Sequence, residues 1–91
     1  MERYFFHICN GNGFTEDEEG LELADEEAAR REAYRGARDV MAADVQRGEL
    51  DLSSFIEVEN HNHELLFTLM FQDALDLTKR HRPAREAQRP T

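Results

Sequence analysis

The stretch DEEAARREAYRGARDVMAADVQRG, residues 25–48, has the pattern of one long helix, and the rest of this chain is expected to pack around it. Asp25 can cap the N-terminus by accepting a main-chain N–H, and Gly48 can adopt the left-handed conformation that ends a helix. Between them, the residues are strong helix formers apart from Gly36. The sequence therefore predicts a continuous helix over residues 25–47.

One face of this predicted helix carries small side chains at helical spacing. The predicted inward stripe comprises Ala29, Ala33, Gly36, Ala37, Val40, Met41 and Val45. Small residues let a helix approach a sheet closely, so the sheet must supply the bulky side chains of the core. The flanking segments are rich in Phe and Leu, as this arrangement requires.

Alternating segments on both sides of the helix predict strands. In residues 3–9, one face carries Tyr4, Phe6 and Ile8, and the other carries Phe5, His7 and Cys9. Two Asn-Gly pairs at residues 10–13 favour a tight reversal. The return strand is weak, with Phe14 near its start and its clearest part at residues 21–23.

Two further strands are predicted after the helix, at residues 55–59 and 65–71, with a polar turn at 60–64 between them. In the last strand the inward positions are Leu65, Phe67, Leu69 and Phe71, and the outward positions are Leu66, Thr68 and Met70. Asp73 is expected to cap a short helical turn through Ala74, Leu75 and Leu77.

The order strand, strand, helix, strand, strand predicts an α+β fold of the ββαββ type, a small antiparallel sheet with one long helix packed on one face. Residues 1–78 are expected to form this domain, and residues 79–91 a basic flexible tail. One helix covers only one face of a sheet. We therefore expect the other face to carry an interface that includes Phe5, Leu66 and Met70, for a homodimer or another protein partner. Alternatively, the C-terminal turn with Leu75 and Leu77 folds back over it.

Charge is unevenly distributed along the chain, whose net charge is −9. Residues 79–91 hold five basic side chains and one acidic one, whereas residues 1–78 hold six basic and 19 acidic ones. Such an acidic body repels phosphate backbones, so nucleic-acid binding is disfavoured there, and only weak contact by the tail stays open. Electrostatics favours contact of this acidic body with a basic protein partner or with the chain's own tail.

Neither a membrane-spanning segment nor a secretory leader is recognisable in the sequence. The single cysteine excludes an internal disulfide and fits a reducing compartment. We therefore expect a cytoplasmic protein without membrane contact.

Four residues are candidate metal ligands: His7, Cys9, His61 and His63. Each pair is spaced i, i+2 on one strand face or turn, and imidazole and thiolate suit zinc. The pairs lie in different hairpins, however, and the usual ligand spacings are absent. No motif of a nucleophile, an acid–base pair or a phosphate-binding loop is recognisable. We expect no cofactor and assign no catalytic residue.

Four segments of the chain are RYFFHI at 3–8, DEEGLEL at 17–23, AARREA at 28–33 and FQDA at 71–74. In this order they resemble a family of short bacterial proteins that is frequent in alphaproteobacteria and is known as a domain of unknown function. The resemblance covers residues 2–77 and implies no catalytic residues. The chain departs from the family pattern in the NHNH turn at 60–63 and in its basic tail. The layout is also distantly similar to that of HicB-like antitoxin domains, at the level of fold alone.

These observations favour a small, non-enzymatic binding or regulatory module that acts through protein–protein contacts. An antitoxin-like neutraliser of a basic partner is one alternative. A small metal- or histidine-dependent enzyme is another.

Overall fold

The structure is a computed structural model, and it describes residues 1–11 and 13–76. Within these residues, five strands, one α-helix and a 3-10 turn follow one another. They are β1 (Glu2–Asn10), β2 (Gly13–Thr15), β3 (Leu21–Leu23), α1 (Glu26–Gln46), β4 (Phe55–Glu59), β5 (Leu65–Met70) and the 3-10 turn (Phe71–Ala74). The predicted α+β fold is confirmed, with the return strand divided into β2 and β3.

All strand pairs of the sheet are antiparallel. β1 pairs with β2 and β3 along one side and with β4 along the other, and β5 pairs with β4. Because β3 and β4 both run opposite to β1, they are parallel to each other with β1 between them. Helix α1 is therefore the crossover of a split β-α-β unit, and β5 lies at one edge of the sheet.

Helix α1 begins and ends as its sequence predicts. The side chain of Asp25 accepts a hydrogen bond from the main-chain N–H of Ala28 at 2.9 Å, which satisfies one of the donors at the N-terminus. Gly48 has a φ of 79°, in the left-handed region. The predicted bounds of 25–47 thus differ from the observed helix only by its two flanking residues.

The small-residue face of α1 packs on the sheet. Ala29, Ala33, Ala37 and Met41 are buried. The prediction that Val45 belongs to the inward stripe is wrong, since Val45 is 56% exposed. It lies one turn beyond Met41, where the helix lines an open groove with Leu50 and Leu75.

Large side chains from the sheet complete the core beneath these alanines. Tyr4, Ile56, Val58, Leu69 and Phe71 are buried in the same cluster. Phe6, Ile8 and Phe67 are half-buried and pack against it, so the predicted inward face of β1 is confirmed. Each fully buried large apolar side chain stabilises the fold by about 1.5–3 kcal/mol relative to an exposed one.

The start of β5 departs from the predicted alternation. Val58 pairs with Phe67 but Glu59 pairs with Leu65, so the register shifts and Leu66 has no partner in β4. Such a bulge displaces the alternation of side chains. As a result Leu65, predicted to face inward, is 57% exposed. From Phe67 onward, the residues predicted to face inward are buried or half-buried.

The chain leaves β5 through the 3-10 turn rather than through a helix capped by Asp73, so that predicted cap is wrong. The turn follows Met70 without a side-chain cap. Two main-chain bonds shape it instead: Phe71 donates to the carbonyl of Ser54 at 2.8 Å, and Gln72 donates to that of Leu52 at 3.3 Å. Leu77 and the predicted tail lie outside the described residues.

Candidate functional site

The sheet face opposite α1, called the open face below, holds the candidate site. Opposing residues of an antiparallel pair share a face, so the register assigns Phe5, His7, Cys9, Phe14, Phe55, Glu57, Glu59, Thr68 and Met70 to it. Among the described elements, α1 and the 3-10 turn pack on the other side, where the core cluster lies.

The outer edge of β1 is completed by a side chain between β2 and β3. Residues 16–20 connect these two short strands opposite Phe5, Phe6 and His7. The carboxylate of Asp17 accepts from the N–H of Phe6 and from the N–H of Gly20, both at 3.0 Å. The carboxylate thus replaces a missing ladder partner of β1 and closes the turn at Gly20.

His7 is 4% exposed, and both of its ring nitrogens are bonded within the chain. The main-chain N–H of Asp17 donates to Nδ1 at 3.0 Å. A main-chain N–H can only donate, so Nδ1 is unprotonated and Nε2 carries the proton. Nε2 lies 2.9 Å from Oε1 of Glu59 and donates to it. The ring is therefore held as the Nε2–H tautomer.

A second histidine, His63, contacts the same carboxylate oxygen of Glu59. Nδ1 of His63 lies 3.2 Å from Oε1 of Glu59, whose side chain is 22% exposed. The hydrogen bond from His7, followed by that from His63, holds the pKa of Glu59 below its ordinary value, although partial burial opposes the shift. The ionised carboxylate thereby joins β1 to the β4–β5 turn.

That turn is shaped by Asn60, which positions His63. The side-chain oxygen of Asn60 accepts from the N–H groups of Asn62 and Glu64, at 2.8 and 3.0 Å. His63 itself has a φ of 63°, in the left-handed region that non-glycine residues seldom adopt. In this conformation its ring stacks on Phe5, with 4.6 Å between the ring centroids.

Four rings form a continuous row across the open face. From one end they are Phe14, His7, Phe5 and His63, with centroid separations of 5.5, 6.4 and 4.6 Å. The two inner rings, His7 and Phe5, are buried, whereas Phe14 is 55% exposed and the side chain of His63 is 64% exposed. The row, called the ring row below, therefore presents π surface to solvent at both ends.

The structure separates the candidate metal ligands. His7 and His63 meet at one carboxylate, whereas His61 lies by Glu2, with 3.8 Å between Nδ1 and Oε1. Cys9 is half-buried on the face of His7. Across residues 1–11 and 13–76, no three His, Cys, Asp or Glu side chains are grouped so that they could hold a metal ion.

The three predicted interface residues occupy different environments. Phe5 lies under His63 and is 8% exposed. Met70 is half-buried on the open face, beside Phe55 in the register. Leu66 is half-buried at the bulge and packs against the core cluster. Phe14, which the sequence placed only at the start of the return strand, exposes more apolar surface than any of the three.

Sequence reasoning missed Glu59 and Asp17. Glu59 stands in the alternation FIEVE at 55–59, which puts a carboxylate on the same face as the predicted position of His7. Asp17 is one of four consecutive acidic residues, so nothing local distinguishes it from Glu16, Glu18 or Glu19. Only its place opposite Phe6 and His7 gives it a function in the fold.

The arrangement holds a rigid surface. His7 is buried and both of its ring nitrogens are hydrogen-bonded within the chain, so it stabilises the open face. The exposed rings of Phe14 and His63 can contact the side chain of a partner. Aromatic rings held in fixed positions supply much contact area at small entropic cost, which is typical of protein interfaces.

The fold and this surface define a small α+β module with one face of its sheet packed on a helix and the other bearing a braced ring row. The chain belongs to the family described as a domain of unknown function, DUF6894, whose model matches residues 3–72. No curated protein and no solved structure matches the chain. In the part of the chain that the structure describes, no helix has the length and apolarity needed to span a bilayer.

Proposed function

We propose that this chain is a non-enzymatic binding module, a homodimer that takes a protein partner on its open face. The observation that supports this proposal is the ring row, which exposes Phe14 and His63 on a sheet face that no helix of the described residues covers. Monomeric domains seldom leave such surface without a use. Phe55 and Met70 extend the apolar area toward β5.

The partner that best fits this face is a basic protein. Glu57 and Glu59 lie on the open face among the rings, and residues 1–78 hold 19 acidic side chains against six basic ones. Complementary charge steers association and fixes orientation, while the buried apolar contacts supply most of the affinity. The cytoplasm, with its reduced thiols, is the compartment we propose.

Capture from native lysate tests this proposal with a matched control. Phe14→Lys changes the open face, whereas Val45→Lys introduces the same charge at an equally exposed apolar residue of α1. We expect a basic protein to be retained by the wild type and by Val45→Lys, and lost from Phe14→Lys. Loss through Val45→Lys alone would place the contact on the helix and contradict the proposal.

An antitoxin-like neutraliser is the second candidate, and the acidity of residues 1–78 favours it. The HicB-like layout gives the same expectation by analogy of fold. A gene for a small basic protein beside the gene of this chain, whose product is toxic alone and harmless when co-expressed, would support it. A neighbouring gene whose product is harmless alone would contradict the antitoxin proposal.

The proposal of a small metal- or histidine-dependent enzyme is tested by metal content. His7 and His63 are the histidines that meet, and both point a nitrogen at Glu59. Stoichiometric zinc in the purified protein, with a melting temperature that falls in chelator, would favour this alternative over the binding module.

A further inference from the structure

The two edges of the sheet differ in a way that bears on self-association. Along one edge, β2 and β3 are three residues each, and the acidic run 16–19 separates them. At the other edge, β5 is six residues long, LLFTLM, without a charge, glycine or proline. Natural edges are usually protected from pairing by charges, prolines or interruptions. The first edge has such protection, whereas β5 has none from Phe67 onward, beyond the bulge at Leu66.

The hydrogen-bond pattern shows which main-chain groups of β5 point outward. Phe71 donates to the carbonyl of Ser54, and the register of β4 and β5 continues the same pairing with Phe55 opposite Met70. Antiparallel pairs alternate between bonded and non-bonded positions. The pairs Phe55–Met70 and Glu57–Thr68 are therefore non-bonded. It follows that the N–H and C=O groups of Thr68 and Met70 point away from β4.

We propose that β5 pairs edge to edge with β5 of a second copy of this chain, antiparallel, about a twofold axis that passes Thr68. This inference rests on the proposed homodimer and names the strand that forms it. An axis at Thr68 places Thr68 opposite Thr68, and Phe67 opposite Leu69, of the second copy. All these cross-strand pairs are apolar or Thr–Thr, which are favourable combinations.

The twofold axis must run perpendicular to the sheet, because only that operation reverses a strand while keeping its faces. The main-chain N–H and C=O groups of Thr68 that point away from β4 then face the same groups of Thr68 in the second copy. The two α1 helices consequently lie on one side of the dimer and the two open faces on the other. The dimer places the two open faces side by side, with β4 and β5 of each copy between the two β1 strands that carry the buried rings.

The occupant is a second copy because β5 is uncharged within an acidic chain. Two chains of net charge −9 repel each other, so they can approach best where no carboxylate is brought face to face. Pairing centred on Thr68 adds only a few main-chain hydrogen bonds, so we expect a weak dimer with a dissociation constant on the order of micromolar. Screening of the repulsion by salt should strengthen the dimer.

Sedimentation of the full chain tests the proposal with variants at the two edges. Thr68→Glu sets two carboxylates opposite each other at the axis, and Thr68→Pro removes an outward N–H without touching the bonds to β4. Thr15→Glu adds the same charge to β2, where Thr15 is also exposed. We expect the dissociation constant to rise at least about tenfold for both Thr68 variants and to stay unchanged for Thr15→Glu. Circular dichroism confirms that each variant is folded.

Cross-linking tests the axis itself. In a Cys9→Ser background, Thr68→Cys should form an intermolecular disulfide under mild oxidation, because residues paired at a bonded position are about 5.5 Å apart at Cα. Thr15→Cys should not. These two expected results together would support the pairing.

The outcomes separate this inference from the proposed function. A wild type that stays monomeric across the micromolar range overturns both the pairing and the homodimer, while partner capture still tests the open face. A dimer that survives Thr68→Glu and Thr68→Pro overturns the pairing alone. Salt gives a further distinction, because it should strengthen the dimer and weaken the complex with a basic partner.

Discussion

The main-chain N–H of Asp17 donates to Nδ1 of His7 over 3.0 Å, and this bond determines the tautomer of a buried histidine. With Nδ1 occupied as an acceptor, Nε2 must carry the proton that Glu59 accepts at 2.9 Å. The loop between β2 and β3 is thereby connected through one imidazole to the far end of β4. The ring row is built on this connection, because His7 and Phe5 are its two buried members.

Replacing His7 by phenylalanine should destabilise the fold while keeping a ring in the row. The variant leaves the Asp17 N–H and the Glu59 carboxylate without their partner, at a cost of roughly 2–4 kcal/mol in unfolding free energy. Chemical denaturation measures this loss. His61→Phe is the control, since His61 is exposed and lies by Glu2 at 3.8 Å, and a change above about 0.5 kcal/mol there would be unexpected.

Glu59→Gln should lower stability in a pH-dependent way. The pKa of Glu59 is below its ordinary value of 4.5 in the folded chain, so its ionised form stabilises the fold above that value. This contribution is lost as the pH falls through the lowered pKa, where the carboxyl becomes neutral like the amide of glutamine. We expect wild type to exceed the variant by roughly 1–2 kcal/mol at pH 7 and the difference to vanish in acid. Denaturation at several pH values measures it, and a gap that widens in acid would contradict the expected sign.

Gly20→Ala and Gly36→Ala should act in opposite directions. Gly20 has a φ of 70°, and a Cβ there would lie 2.8 Å from the carbonyl oxygen of Tyr4. We expect a loss of about 1–3 kcal/mol. Gly36 lies within α1 and a Cβ would meet nothing within 4 Å, so alanine should stabilise by roughly 0.5–1 kcal/mol. Thermal unfolding of both variants checks the two signs, and a neutral Gly20→Ala would show that the turn can relax.

Asp25→Ala should remove the N-cap of α1. The carboxylate that accepts from Ala28 is lost, at a cost of about 1 kcal/mol. Asp25→Asn keeps a side-chain oxygen and should cost much less. Equal losses for both variants, measured by urea denaturation, would indicate that the charge at the helix N-terminus matters more than the cap.

The helix and the fold class follow from local features of the sequence. The cap at Asp25, the alanine stripe and Gly48 act within a few residues of one another, so local rules suffice to place α1. The alternation of residues 3–9 likewise identified Tyr4, Phe6 and Ile8 as inward, because the period of a strand is a local property.

Which strands are neighbours and which polar groups meet depends on contacts that exist only in the folded chain. Glu59 reaches His7 across 52 positions of sequence, and Asp17 differs from the adjacent acids only because it lies opposite Phe6. The bulge that exposes Leu65 and the unprotected edge of β5 also depend on pairing between distant segments. Strand order, register and hydrogen bonds between strands are contacts between residues far apart in the chain, and no local pattern of side chains encodes them.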